Sequence, residues 1–340
     1  MGNVFIIGNG FDLDLGLPTK YLDFAKSEYW PAATKIEIEE GSPKNENYTK
    51  LAYFPDLPKL DIYIENAKNR ETWFDLEGEL LKFSKVYDRS GGDYFGYDFS
   101  NETKERITQN VDYFNKLRNS LNDYIIEVQK HQDISKECTA GNVLKAVVGN
   151  GYFENIYSFN YTDLNSIAKR IGITKGIKYT HLHGKVSDKS IILGVDETKL
   201  REGYEIFHKS SSRYYRSHDL YNALTGANEI VFFGLSFGSI DYSYFEGFFK
   251  QLSEGESIPD NKKKNITVFT KDYGSRLSII TNMRNMGVNI QRLYAQSHFQ
   301  IICTFEDVEK QELSEFYLRL KQSSKAKHNE GLRQLDSIVH

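Results

Sequence analysis

Apolar residues come in short unbroken runs along this chain, and most runs stop at a glycine or a polar turn. Val4-Phe5-Ile6-Ile7 ends at Gly8. Comparable runs lie in Asn155–Phe159, Lys178–Leu182, Ile191–Val195, Ile230–Phe233 and Ile266–Phe269. Runs this short predict strands buried on both faces, the habit of parallel sheets. Helix-period sequence follows most of them, so the alternation predicts an α/β fold with a largely parallel sheet.

Residues 31–149 break that rhythm. Trp73, Leu76, Leu80 and Phe83 keep helical spacing behind Thr72, read as an N-cap with Asp75 three residues on. Ile107, Val111, Phe114, Leu117, Leu121, Ile125 and Val128 predict a long amphipathic helix. Residues 89–99, rich in Gly, Tyr and Asp, read as a loop. The expected division is a core of residues 1–30 and 150–300, a large helical insertion of residues 31–149 after the first strand, and a C-terminal helix and polar tail of residues 301–340.

Composition removes several classes. With 39% hydrophobic and 14% aromatic residues over 340 positions, the chain can bury a core, which excludes wholesale disorder. Its 43 basic and 47 acidic residues give −4, so no global field draws it to nucleic acid or an anionic membrane. Lys262-Lys263-Lys264 reads as a solvated loop. Two cysteines, Cys138 and Cys303, exclude a four-cysteine zinc site and fit a reducing compartment. No run approaches the ~20 apolar residues of a membrane helix. The N-terminus does not read as a signal peptide, and Ile6 stands where a myristoylation signal wants Ser or Thr. A cytoplasmic protein is expected.

Four segments carry candidate chemistry. Gly8-Asn9-Gly10-Phe11-Asp12 follows the first strand, where a glycine turn and a helix start can receive a diphosphate. The dehydrogenase pattern GxGxxG fails at Leu13, and no Lys-Ser/Thr follows Gly16 to complete a P-loop. A plain tight turn is the alternative. Ser158-Phe159-Asn160-Tyr161-Thr162-Asp163 closes the next strand. Asn160 can donate and accept, while Asp163 either meets ligand hydroxyls or caps a helix starting at Leu164. His181-Leu182-His183-Gly184 ends a third strand, with both histidines on one face by alternation. They lack a third metal ligand, so no metal is expected. One could serve as a general base, and a structural role is the reading for His181. Gly234-Leu235-Ser236-Phe237-Gly238-Ser239-Ile240-Asp241 is a second glycine turn, for a nucleotide or as a plain turn capped by Ser239 or Asp241.

Together these segments resemble the sirtuin-like NAD-binding fold. Gly8–Asp12 with Gly16-Leu17-Pro18 resembles its opening motif; Asn160, His183-Gly184, and Gly234 with Ser236 fall on its later ones. The chain departs from that pattern at Asp12, where sirtuins carry Ser, and at Asp163 or Thr162, where they carry the Asp of Asn-x-Asp. The sirtuin zinc ribbon cannot form here, so protein deacylation is not expected. The closer resemblance is to the bacteriophage abortive infection AbiH family, from residue 3 to about 290. Ile7–Asp12, Gly16–Tyr21, Trp73-Phe74-Asp75-Leu76-Glu77, Phe159–Thr162 and His183-Gly184 carry it.

The resemblance implies a Rossmann-like, sirtuin-type fold and a phage-defence effector that cleaves the nicotinamide–ribose bond of NAD. The alternatives are a non-hydrolytic NAD or ADP-ribose sensor and a nucleic-acid-targeting effector. In this reading Gly8, Asn9, Gly10 and Phe11 cradle the diphosphate. Asp12 contacts ribose or orders water, and Asn160 holds the ribose or the attacking water. His183, followed by Gly184, is the general base. Asp163 meets ligand hydroxyls, and Gly234 and Ser236 face the adenosine side. Asp75 and Glu77 enter the cleft or lie on a solvated helix face. A phage-derived trigger and a homo-oligomer are the expected partners; a membrane and nucleic acid are not.

Overall fold

The computed structural model describes residues 2–33, 59–70, 74–85, 104–135, 137–151, 153–196, 199–215, 219–256, 258–306 and 309–323. Its strands are β1 (Asn3–Ile7), β2 (Phe153–Ser158), β3 (Thr180–His181), β4 (Glu229–Phe233), β5 (Lys264–Thr270) and β6 (Ser297–Cys303). Its helices are α1 (Asn9–Asp14), α2 (Tyr21–Ala25), α3 (Leu60–Arg70), α4 (Leu76–Ser84), α5 (Lys104–His131), α6 (Thr139–Asn150), α7 (Leu164–Arg170), α8 (Leu220–Gly226), α9 (Tyr242–Glu254), α10 (Tyr273–Asn285) and α11 (Ile290–Gln296). Residues 310–323 form a further helix, α12.

The six strands pair in parallel in the order β3-β2-β1-β4-β5-β6. This is a Rossmann-like sheet. The order reverses between β1 and β4, and open sheets bind ligands in the crevice at the strand carboxyl ends at such a switch point. All five residues of β1 and all five of β4 are buried, as central parallel strands must be.

The chain folds as two compact units. The first holds Met1–Thr19, Ile126–Ser190 and Arg216–His340, and so contains the whole sheet. On one face, Val4, Ile6, Tyr157, Ile230, Phe232, Ile266, Val268, Phe299 and Ile301 pack with Leu220 and Leu224 of α8, Phe245 and Phe249 of α9, Met283 of α10 and Leu293 of α11. On the other, Phe11 of α1 meets Phe5 and Phe233 edge-on, Phe233 stacks on Phe269, and Phe269 meets Phe316 of α12. Each such ring contributes about 1.5–3 kcal/mol through burial.

The second unit holds Lys20–Ile125 and Ile191–Tyr215. Phe83 packs on Tyr63 and Tyr204, and Phe114 stacks on Phe207 with centroids 4.4 Å apart. The buried Asn110 accepts from the Leu60 amide and donates to the Tyr204 hydroxyl, tying α5 to α3 and to the 191–215 segment.

Several expectations need correction. Ile191–Val195 is not a strand of the sheet. Its side chains are buried in the second unit, and its ladder is one bridge from Val195 to His208. An apolar run reports burial, not pairing. β3 has two residues, fewer than the run Lys178–Leu182 suggests. β6 is a strand that the apolar runs do not predict. It is an edge strand with a partly exposed face, so its sequence, Ser-His-Phe-Gln-Ile-Ile-Cys, lacks the continuous apolar signature. It also carries the sheet past residue 300. Asp75 caps α4, its Oδ1 accepting from the Gly78 amide at 3.1 Å. Thr72, Trp73, the 89–99 loop and the tail from residue 324 lie outside the described residues. The long helix expected from Ile107 to Val128 is present as α5.

Candidate active site at the carboxyl ends of the strands

The turns after β1 and β4 touch backbone to backbone. The Gly8 amide donates to the Phe233 carbonyl at 2.8 Å and the Gly10 amide to the Gly234 carbonyl at 2.9 Å. A Cβ on Gly10 would come within 2.6 Å of the Gly234 Cα. Gly234 has φ +71, and a Cβ there would run into Gly10 and the Phe11 amide. These glycines therefore let two turns interlock at the switch point. That revises one expectation. The amides of Gly8, Gly10 and Phe11 are donated within the protein, the last to the Gly8 carbonyl. The Asn9 side chain accepts from the Thr19 hydroxyl at 2.6 Å.

Asp12 follows in α1 and is 1% exposed. Thr162, just past β2, donates its hydroxyl to Asp12 Oδ2 at 2.9 Å. Asp12 Oδ1 is buried without a hydrogen-bond partner among the described residues. Burial pushes the Asp12 carboxyl up to about 7, with Thr162 and then the nearby Asn160 amide pulling the other way. Asn160 gives its formed bond to the Gly8 carbonyl, at 3.1 Å from Nδ2. The β1 and β2 ends are thus joined by two side-chain bonds around one unsatisfied carboxyl oxygen.

The two histidines have different surroundings. His183 is 6% exposed, edge-on to Phe159, and its Nε2 lies 3.4 Å from the Tyr244 hydroxyl of α9. His181 Nδ1 lies 3.1 Å from the Asn160 carbonyl, and its Nε2 is buried with no partner among the described residues. Burial holds the His181 ring down at about 4, so it is neutral near pH 7. Gly184 has φ +70, and a Cβ there would collide with the Ser190 carbonyl. The glycine of His-Gly is therefore required by the backbone.

Asp163 is the N-cap of α7, accepting from the Ser166 amide at 2.9 Å; its other oxygen accepts from Ser187 and lies 3.5 Å from Lys185 Nζ. The capping alternative for this residue is realised. Ser236 is exposed in the β4 turn, next to Phe237, whose φ of +52 is rare for a bulky residue. Phe237 is fully buried against Phe232, Phe245 and Phe249, which fixes that turn. Asp241 precedes α9 without a side-chain cap, and Ser239 opens the short 3-10 turn before it.

Asp75 and Glu77 belong to the second unit and have local partners there. Glu77 accepts from the Gly194 amide at 3.2 Å and lies 3.3 Å from Lys209 Nζ, both side chains nearly sealed from solvent. A solvated face is therefore not the explanation for Glu77. Lys264, from the three-lysine run, donates into the protein, to the Thr225 and Ala227 carbonyls. Among the described residues no three His, Cys, Asp or Glu side chains gather as a metal set, and no helix is long and apolar enough to cross a membrane.

The residues brought together are therefore Asp12, Thr162, Asn160 and Gly8, while His183, two residues past β3, lies against Phe159 and Tyr244. Tyr244 escaped the sequence reading. Its signal is weak, one tyrosine in the first turn of an aromatic-rich helix behind a glycine turn. The family model described as "Bacteriophage abortive infection AbiH" matches residues 4–258. No curated protein and no solved structure matches the chain significantly. The match takes in the turns after β1 to β4, and with them every residue of the site: this chain belongs to the bacteriophage abortive infection AbiH family.

Proposed function

We propose that this abortive-infection protein is a sirtuin-like NAD glycohydrolase acting from the carboxyl ends of β1, β2 and β3. The observation that carries the reading is the buried Asp12 carboxyl, held by Thr162 and left with one unsatisfied oxygen beside Asn160 at the switch point. Buried polar groups in folded proteins are paired, so an unpaired one calls for a functional account. A ribose hydroxyl or an ordered water supplies the missing partner.

The reaction joins NAD and water to give nicotinamide, ADP-ribose and a proton. The C1′–nitrogen bond breaks through an oxocarbenium-like transition state. Nicotinamide leaves as a neutral amide, so its nitrogen needs no proton. Water adds to C1′, and His183 accepts its proton. Ionised Asp12 stabilises positive charge developing on the ribose, and Asn160 holds the water or the ribose. Gly234 and Ser236 lie on the adenosine side. With the Gly8, Gly10 and Phe11 amides engaged in the protein, the Asn9 amide is left as the turn's contact for the diphosphate. An enzyme that drains NAD must be silent before infection, so a phage-derived trigger and a homo-oligomer are part of the proposal, as is a cytoplasmic location.

The burial of His183 against Phe159 and Tyr244 favours a second reading, a sensor that binds NAD or ADP-ribose without cleaving it. Calorimetry with NAD and chromatography of nicotinamide on the same purified sample separate the two. Release of nicotinamide supports the glycohydrolase; tight binding without release, in the presence of phage lysate, supports the sensor. No binding at all contradicts both.

A further inference from the structure

We infer that Thr162 is the positioning residue of this site: its hydroxyl occupies Asp12 Oδ2 so that Oδ1 is presented to a ligand hydroxyl. The two residues stand 150 positions apart, so their 2.9 Å bond is neither a helix cap nor a local turn. Thr162 is 3% exposed and Asp12 1%. Asn160, the other polar group beside the carboxyl, gives one amide hydrogen to the Gly8 carbonyl, and its amide also favours the charged carboxylate. A purely structural carboxyl at this depth would have both oxygens satisfied, because a buried acceptor without a partner loses the hydrogen bonds it had in water. Here Oδ2 is held by Thr162, and Oδ1 has no hydrogen-bond partner among the described residues. A carboxylate arranged this way accepts a hydroxyl of a vicinal diol, as ribose offers. The identity of that hydroxyl rests on the nucleotide reading above; the pair itself does not.

The arrangement also sets when Asp12 ionises. The Thr162 hydroxyl bonds the charged form and opposes the effect of burial. From the other packed elements, Asn160 faces the carboxyl from the β2 end. Further along α1, Asp14 accepts from the Ala140 amide and interacts with Cys138 and Tyr317. Loss of the Thr162 hydroxyl should therefore raise the pH at which Asp12 loses its proton. A neutral bond of about 1 kcal/mol corresponds to roughly fivefold in the ionisation constant, about 0.7 pH unit.

The test is a carbon-13 carboxyl titration of the full chain labelled at aspartate, with Asp12→Asn assigning the signal. We expect Thr162→Val to move the Asp12 midpoint up by that amount and Thr162→Ser to restore it. ADP-ribose, used as the probe, should perturb the Asp12 signal in the wild type and less in Thr162→Val. Thr162→Ala replaces the valine variant if the latter does not fold. An unchanged midpoint in Thr162→Val, or no rescue by Thr162→Ser, overturns the inference. The readout needs no turnover. A chain that shows the midpoint change but never cleaves NAD therefore counts against the glycohydrolase reading alone.

Discussion

Asp12 shows how one side chain ties stability to function. Its folded carboxyl loses its proton near 7, against 3.8 when unfolded. Between those values the folded state holds a proton that the unfolded state has released, so this group's contribution falls as pH rises from about 4 to about 7. The full effect is on the order of 4 kcal/mol. His181 works in the opposite direction. Its folded value is near 4 against 6.5, so its contribution rises with pH across that window. Comparing Asp12→Asn with the wild type in urea unfolding from pH 4 to 8 isolates the first effect. The difference should grow in favour of the variant as pH rises, and a difference independent of pH would contradict the assignment. At Gly184, Gly184→Ala should cost more than about 2 kcal/mol, since it combines a left-handed backbone with a clash at the Ser190 carbonyl. Thermal melting of that variant is the check.

Between elements, a buried ion pair of the second unit joins α4 to the 191–215 segment. Lys209 lies 3.3 Å from Glu77 and 3.9 Å from Asp196, and its side chain is 2% exposed. Removing one partner leaves a buried charge, so Glu77→Gln or Lys209→Met alone should destabilise by about 3–5 kcal/mol, while the double variant should recover much of that. Chemical unfolding of the three variants measures it; additive losses would contradict the pairing. This pair also marks where sequence reading stops. β1, β4 and β5 were legible because central parallel strands are apolar on both faces. Ile191–Val195 carried the same signature for another reason, since its burial is in the second unit. β6 was illegible because an edge strand keeps polar residues. In the site, Gly8, Gly10 and Gly234 were visible as motifs, but their mutual approach was not, because it couples residues more than 200 positions apart. The sequence around Asp163 suits both a cap and a ligand contact, and a capping hydrogen bond is a geometric fact that sequence alone leaves open.

Over the whole molecule, the parallel sheet puts the turns after β1, β2, β3 and β4 at one end, and with them Gly8–Asp12, Asn160–Asp163, His183 and Gly234. The opposite ends are structural. Glu229, at the start of β4, is held by Arg319 of α12 at 2.9 Å, and Thr267 shares that guanidinium. Arg319→Ala should therefore lower thermal stability and leave ligand affinity unchanged. The central claim concerns the other end, and it is tested most directly in infected cells, where any trigger is present. NAD, nicotinamide and ADP-ribose should be quantified through a phage infection in cells carrying the wild type, His183→Ala or Asn160→Ala. The account predicts a fall in NAD with matching nicotinamide and ADP-ribose in the wild type, and at least about a hundredfold slower release in His183→Ala. Protection from phage with NAD unchanged would contradict it.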